Sequence, residues 1–132
     1  MISNVSFMAK KEAPFYPTEK IRNMTAGRLA TTTNQAYALA SEDVGRTITP
    51  LRKITGDDLQ KRNPGCFDGS TRLTKKGLEG FEAVNGKILN LSVDSSAYQY
   101  REAMRQHLAN CAYFEDDGKT ATVTTQFDYY SK

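Results

Sequence analysis

The sequence predicts an α+β fold, in which an antiparallel β-sheet of several strands is crossed by one long helix in the C-terminal half. Three observations predict this fold. Apolar residues recur at spacings of three and four in one segment, apolar and polar residues alternate in others, and Pro and Gly cluster between these segments. A chain of 132 residues suits one domain, so residues 1–132 are expected to fold as a single unit.

The helix is predicted from about Ser95 to Phe114. Asp94, Ser95 and Ser96 can cap its start, and Glu115–Gly118 ends it. Its apolar side chains form one stripe: Ala97, Tyr100, Met104, Leu108 and Cys111.

The best predicted strand is Lys87–Val93, which alternates apolar and polar residues after the hairpin-turn signal Asn85–Gly86. A closing strand is predicted at Lys119–Tyr130 by the same alternation. Arg28–Thr33 is rich in β-branched Thr, which is typical of a strand. Arg46–Thr55 contains a proline and is therefore expected at a sheet edge or a bulge.

Four segments give weaker signals. Residues 2–16 suit a short strand or an extended arm, and Thr18 can cap a short helical turn over Glu19–Met24. Asn34–Ala40 suits a strand or a helix, and Thr71–Phe81 suits a strand or an irregular segment. Between them, Lys61–Ser70 is the clearest loop, because it holds Asn-Pro, Pro-Gly and Asp-Gly pairs.

The composition predicts a thin core. Only 39% of the residues are hydrophobic, Trp is absent, and the mean hydropathy is −0.59. Burial between chains can supplement a thin core. We therefore expect a second copy of the protein to cover the apolar stripe of the helix, which makes that stripe a candidate dimer interface.

Charge is uneven along the chain. Residues 46–76 hold eight basic and three acidic residues, a balance of +5, whereas residues 94–132 hold six acids and four bases, a balance of −2. A basic face suits a polyanion such as single-stranded RNA. The candidate RNA-binding residues, expected on one face of the sheet, are Arg28, Thr31, Thr33, Thr47, Thr49, Lys53, Thr55, Lys87 and Asn90.

Catalysis is not expected. The chain has one histidine, His107, which is placed to touch Cys111 one helical turn later. Because Cys111 belongs to the apolar stripe, a structural cysteine beside a surface histidine is the favoured interpretation. The sequence has no set of about four metal ligands and no glycine-rich phosphate loop, so no metal, cofactor or small-molecule substrate is predicted.

Membrane insertion and export are not expected either. The sequence has no apolar run of membrane-spanning length. Met1–Phe7 lacks the pattern of a signal peptide, and two cysteines are too few for a disulfide framework. The sequence therefore predicts a protein made and used in the cytoplasm.

The order of several features resembles the coat proteins of single-stranded RNA bacteriophages (leviviruses). A Thr-rich run, Arg28–Thr33, comes early, and the loop Asn63–Cys66 lies mid-chain. A strand then runs into a helix through Val93–Ala97, with Arg101 and Leu108 inside the helix. The match covers residues 28–114. The family generally ends with a second helix, whereas Lys119–Tyr130 predicts a strand here.

The resemblance implies an interlocked dimer, in which the helix of each chain covers the sheet of the other. Dimers would close into an icosahedral virion shell around genomic RNA in the host cytoplasm. The inner sheet face would bind an RNA hairpin and repress replicase translation. The loop of Asn63, Pro64, Gly65 and Cys66 would meet its copies between dimers, where some members form disulfides.

The expected function is therefore that of a viral coat (capsid) protein whose partners are itself and RNA. The alternative is a small phage or bacterial protein-binding module that acts as an inhibitor. Cys66 is expected to be exposed, and the neighbouring Lys61 and Arg62 favour its thiolate. On that basis Cys66, not Cys111, is predicted to cross-link under oxidation.

Overall fold

A computed structural model describes residues 15–49, 53–114 and 120–123. This part of the chain is mostly helical. Its helices are α1 (Ala26–Val44), α2 (Gly56–Arg62), α3 (Lys75–Phe81) and α4 (Ala97–Cys111), preceded by a 3₁₀ turn at Ile21–Asn23. Its strands are β1 (Thr47–Thr49), β2 (Ala112–Phe114) and β3 (Thr120–Val123). No helix in the described ranges has the length and apolar character needed to cross a membrane.

The predicted α+β fold built on an antiparallel sheet is wrong. The strands have three or four residues each and lie in the order β1-β3-β2. β3 pairs in parallel with β1, Thr120 opposite Thr47, and antiparallel with β2, Val123 opposite Ala112. These strands are too short to form a layer that a long helix could cross, and the helices build the core among themselves.

Helix α1 occupies the segment whose first part, Arg28–Thr33, was predicted to be a strand. The Thr25 side chain caps its start by accepting a hydrogen bond from the Arg28 N–H, and Gly45 ends it with φ of 76°. Thr32 and Thr33 donate their hydroxyl groups to the carbonyl oxygens of the residues four positions earlier. Small and apolar residues follow the helical period and are buried: Ala26, Leu29, Ala30, Ala36 and Ala40.

Helix α4 confirms the predicted helix, with Ala97–Cys111 as its bounds. Ser96 and Gln99 form a capping box: the Ser96 hydroxyl oxygen accepts from the Gln99 N–H, and the Gln99 side-chain oxygen accepts from the Ser96 N–H. Four residues of its apolar stripe are fully buried: Ala97, Tyr100, Met104 and Leu108.

The apolar stripe of α4 packs on α1 of the same chain, in the most extensive helix–helix contact of the fold. The alanines of α1 allow close approach, and the Tyr100 hydroxyl lies 2.9 Å from the Thr33 hydroxyl. The ring of Phe81 meets Tyr100 edge to face at 5.7 Å. The prediction that a second copy covers this stripe is therefore wrong for these four residues, because the chain buries them itself.

Helix α3 continues past Phe81 through a π-helical turn, Glu82–Gly86, and a last α-helical turn, Lys87–Leu89. Asn90 ends this helix with φ of 58°. The predicted hairpin turn at Asn85–Gly86 and the predicted strand Lys87–Val93 are therefore wrong. The alternation of that segment did identify buried positions, because Leu91 and Val93 are buried in the loop that follows.

The weaker predictions have mixed outcomes. The short helical turn predicted after Thr18 is present as the 3₁₀ turn, and Asn34–Ala40 is helical. Of the predicted edge strand Arg46–Thr55, only β1 forms a strand among its described residues. In Thr71–Phe81, Thr71 has a φ of 63°, only Arg72 and Leu73 form β-bridges, and the segment then enters α3. The closing strand is confirmed for β3, whereas the rest of Lys119–Tyr130, like residues 2–14, lies outside the described ranges.

Candidate nucleic-acid interface

The structure does not place the predicted RNA-binding residues on one sheet. Arg28, Thr31 and Thr33 lie on α1, Thr47 and Thr49 in β1, Lys53 and Thr55 before α2, and Lys87 and Asn90 at the end of the α3 segment. The prediction required a sheet that all of them share, and the strands of the described chain are too short to provide one.

Three of these residues serve the fold instead. Arg28 forms an ion pair with Glu19, with distances of 2.7 and 2.8 Å to the two carboxylate oxygens. The Thr55 hydroxyl caps α2 in a capping box with Asp58. Thr33 is 1% exposed, and its hydroxyl is hydrogen-bonded to the hydroxyl of Tyr100 in α4. These side chains are already engaged, which leaves them little freedom to contact a ligand.

The predicted inter-dimer loop is half buried. Asn63 is 2% exposed and donates its side-chain amide to the Leu59 carbonyl, 2.8 Å away, whereas Pro64 and Gly65 are exposed. Cys66 is 1% exposed, because its backbone packs against the first turn of α3 and its carbonyl accepts from the Thr74 N–H. The prediction of an exposed Cys66 is therefore wrong.

This loop joins the end of α2 to the start of α3. The Thr74 hydroxyl donates to the Gly65 carbonyl, 2.8 Å away, and the Lys76 ammonium donates to the Pro64 carbonyl at 3.3 Å. Gly77 lies so close to the loop that an added Cβ would be 2.2 Å from the Cys66 carbonyl oxygen. Lys76 of α3 consequently lies beside the loop that follows Lys61 and Arg62 of α2.

We name the resulting group the basic cluster. Its five side chains come from the last turn of α2, the first turn of α3 and the residues just before α3, and all are exposed: Lys61, Arg62, Arg72, Lys75 and Lys76. The sequence had placed these residues in a basic segment, but none of them was among the predicted RNA contacts. The signal that could have found them was the local charge density itself.

The basic cluster is strongly positive. Residues 61–76 contain these five cations and one acid, Asp68, which gives a balance of +4. The Asp68 carboxylate is turned to its own loop, where it accepts hydrogen bonds from Ser70 and from the Arg72 N–H. The hydrogen bond from the Ser70 side chain lowers the pKa of Asp68, so this carboxylate stays ionised at neutral pH.

Ion pairing distinguishes the basic cluster from several arginines of the described chain. Elsewhere Arg22 pairs with Asp94, and Arg105 pairs with Asp43. Throughout the described residues, the four cations of the α2 and α3 turns, Lys61, Arg62, Lys75 and Lys76, form no ion pair with a carboxylate. Their charge therefore remains available to an external anion.

A second surface combines arginine and aromatic side chains. The Arg101 guanidinium lies 4.3 Å from the centre of the Phe15 ring and 5.7 Å from that of Tyr98, and Arg28 lies 3.8 Å from the centre of the Tyr16 ring. Tyr98 also borders a shallow recess of about 600 Å³, lined by Pro17, Thr18, Ser96, Tyr98 and Gln99.

The two residues that the sequence offered for catalysis, His107 and Cys111, lie side by side on α4. The Cys111 sulfur lies 3.5 Å from Nε2 of His107, and both residues are half-buried. Burial lowers the pKa of His107, so the imidazole is neutral at neutral pH. The described residues contain no group of three or more His, Cys, Asp or Glu side chains placed to hold a metal ion.

Comparison of the chain with protein-family models, with curated proteins and with solved structures finds no match.

Proposed function

We propose that this protein binds single-stranded RNA through the basic cluster and has no catalytic activity of its own. The observation that carries the proposal is the meeting of five exposed cations at the junction of α2 and α3, four of them outside any ion pair of the described chain. Phosphate groups are the ligands that such a surface recognises without a shaped pocket.

The position of two lysines of the cluster also favours the binding of an anion. Lys75 and Lys76 are adjacent and lie in the first turn of α3, where the helix dipole is positive and cations are unfavourable. The repulsion between them and the dipole is relieved when an anion binds. Neither lysine lies in a strand, so RNA binding at this place does not require the sheet that the sequence predicted.

Assembly into a virion shell remains a prediction. The levivirus-like arrangement implied a dimer held by a helix that covers the partner's sheet, and the fold seen here does not supply that arrangement. A shell built by other contacts is tested by negative-stain electron microscopy of the expressed protein. The alternative function, a protein-binding inhibitor, predicts discrete particles and no dependence of RNA affinity on the basic cluster.

The decisive experiment measures RNA affinity against salt. Fluorescence anisotropy with a labelled single-stranded RNA should give a linear fall of log affinity with log salt, with a slope of about −0.7 for each phosphate neutralised. The double variant Lys75→Gln and Lys76→Gln should reduce the size of that slope by about 1.4. The matched control is Lys87→Gln, because Lys87 is an exposed lysine at the other end of the same helical segment.

The proposal fails if the wild-type protein shows no salt-dependent RNA binding. It also fails in its location if the Lys87 variant loses as much slope as the double variant. Circular dichroism of each variant establishes that the helices are intact, which is expected because all three lysines are exposed.

A further inference from the structure

Among the residues whose side chains the structure describes, Tyr98 is the most exposed large hydrophobic one, at 50%. Tyr16, at 39%, also lies on this side of the fold, because the segment that carries it packs on the start of α4. The Tyr98 N–H donates to the Pro17 carbonyl at 3.2 Å, and the Ala97 N–H donates to the Glu19 carbonyl at 2.8 Å. The backbone of Tyr98 is thus held in place while half of its side chain stays in solvent.

One neighbour of the Tyr98 ring is a guanidinium group. Arg101 lies one helical turn further along α4 and is placed between Tyr98 and Phe15. It is held there by an ion pair with Glu102 of 3.0 Å. Aromatic rings beside guanidinium planes are the surfaces on which unpaired nucleobases stack.

The recess beside Tyr98 adds polar groups. The Gln99 side-chain oxygen accepts from the Ser96 N–H at 2.8 Å, which fixes the carboxamide at the edge of the recess. In the part of the chain that the structure describes, neither the amide NH₂ of Gln99 nor the hydroxyl of Thr18 is hydrogen-bonded to protein. A base stacked on Tyr98 would find these groups along its edge.

A chain of hydrogen bonds along the 3₁₀ turn links the recess to Arg72 of the basic cluster. The Arg72 guanidinium donates to the Asn23 carbonyl at 3.1 Å, and the Asn23 N–H donates to the Lys20 carbonyl at 2.9 Å. The backbone of Lys20 in turn forms an antiparallel β-bridge with that of Ser96, which lines the recess. Lys20 and Arg72 are both exposed, so cations border this path at its two ends.

We propose that the recess beside Tyr98 holds an unpaired base of the RNA strand whose phosphates the basic cluster binds. The inference rests on the proposed function and adds to it a preference for single strands with accessible bases. A base in a duplex is stacked between its neighbours and has no free face for Tyr98.

The test compares two labelled oligomers of about 12 nucleotides, a length within the range of known single-strand sites. One is an oligoadenylate and the other is an abasic ribose-phosphate chain of the same length and charge. The wild-type protein should bind the oligoadenylate at least about fivefold more tightly, which corresponds to the lower end of the stacking energy of one base. The Tyr98→Ala variant should lose this difference and keep its affinity for the abasic chain.

Two further variants serve as controls. Tyr98→Phe keeps the ring and should keep the preference. Ile88→Ala removes another exposed side chain, 41% exposed, from the α3 segment and should change neither affinity. Circular dichroism verifies the helices of each variant.

The outcomes separate this inference from the proposed function. Equal wild-type affinity for the two oligomers, or an equal loss of both in Tyr98→Ala, overturns base binding at the recess and leaves RNA binding by the basic cluster in place. Failure of the wild-type protein to bind either oligomer overturns both. A preference that survives in Tyr98→Ala assigns the base to another surface and overturns the inference.

Discussion

Replacing Tyr100 by Phe removes one hydroxyl from the contact between α1 and α4 and leaves the packing of the ring unchanged. That hydroxyl lies 2.9 Å from the Thr33 hydroxyl, and the two residues are 0% and 1% exposed. Thr33 keeps its second hydrogen bond, to the Leu29 carbonyl at 2.9 Å, so the substitution leaves no polar group of α1 without a partner. The effect therefore isolates one interhelical hydrogen bond.

The loss should be about 0.5–1.5 kcal/mol in the free energy of unfolding, the usual net value of one such bond. For a chain of this size, each kcal/mol corresponds to a fall in Tm of roughly 3–5 °C. Thr33→Val removes the same bond from the other helix, and the double variant should lose no more than about the larger single loss. Urea unfolding followed by circular dichroism measures all three variants. Met104→Ala, at a site with 0% exposure, should cost about 2–5 kcal/mol.

Two results would refute the reasoning. If the losses of the two single variants add within about 0.3–0.5 kcal/mol, Thr33 and Tyr100 do not interact across the helices. If the Tm of the wild-type protein rises with protein concentration, and the coupling weakens on dilution, a second chain contributes to covering α4. The packing seen here predicts a Tm that is independent of concentration.

Three further outcomes are expected. Under native conditions iodoacetamide should label the half-buried Cys111 and spare Cys66, which is 1% exposed, as peptide mass spectrometry would show. Gly77→Ala should destabilise the fold more than the control Gly27→Ala in thermal unfolding, since an added Cβ meets a carbonyl oxygen at 2.2 Å in the first case and its nearest atom at 3.9 Å in the second. The hydrogen bond from Arg105 lowers the pKa of Asp43. The contribution of the Asp43 carboxylate to stability is therefore present above about pH 4 and is lost as the pH falls further. Asp43→Asn should reduce the acid sensitivity of Tm.

The best-predicted element was α4, for a local reason. Its apolar residues are one helical turn apart over four turns, and Ser96 with Gln99 forms a capping box that residue types alone suggest. Both signals lie inside one short segment, so neither needs a tertiary contact to be interpreted. One helix does not determine the fold class, and the predicted fold class was wrong.

Helix α1 shows how the prediction of fold class went wrong. Thr31, Thr32 and Thr33 are β-branched and favour strands when considered alone. Their helical state depends on an alanine period that extends to Ala40, and on hydroxyl groups that bond back to the preceding turn. A window that stopped at Thr33 contained the residues with strand propensity and missed most of the helical period.

The segment after Phe81 was mispredicted for another reason. Asn85–Gly86 is a strong hairpin signal, yet Asn85 is 0% exposed and donates its side-chain amide to the Phe81 carbonyl inside a π-helical turn. The reversal of the chain comes instead at Asn90, the residue with φ of 58°. Asn serves both roles, and only the tertiary environment decides which Asn turns the chain.

The two halves of the basic cluster have different explanations. In α2, acids occupy the first turn, and Lys61 and Arg62 occupy the last. At both ends these charges interact favourably with the helix dipole. Stability alone therefore accounts for Lys61 and Arg62. In α3, Lys75 and Lys76 occupy the first turn with no acid beside them in that turn, so the same dipole opposes them. The helix dipole therefore does not account for their placement, although Lys76 also donates to the Pro64 carbonyl. These two lysines are the members of the cluster for which a bound phosphate backbone best explains the position.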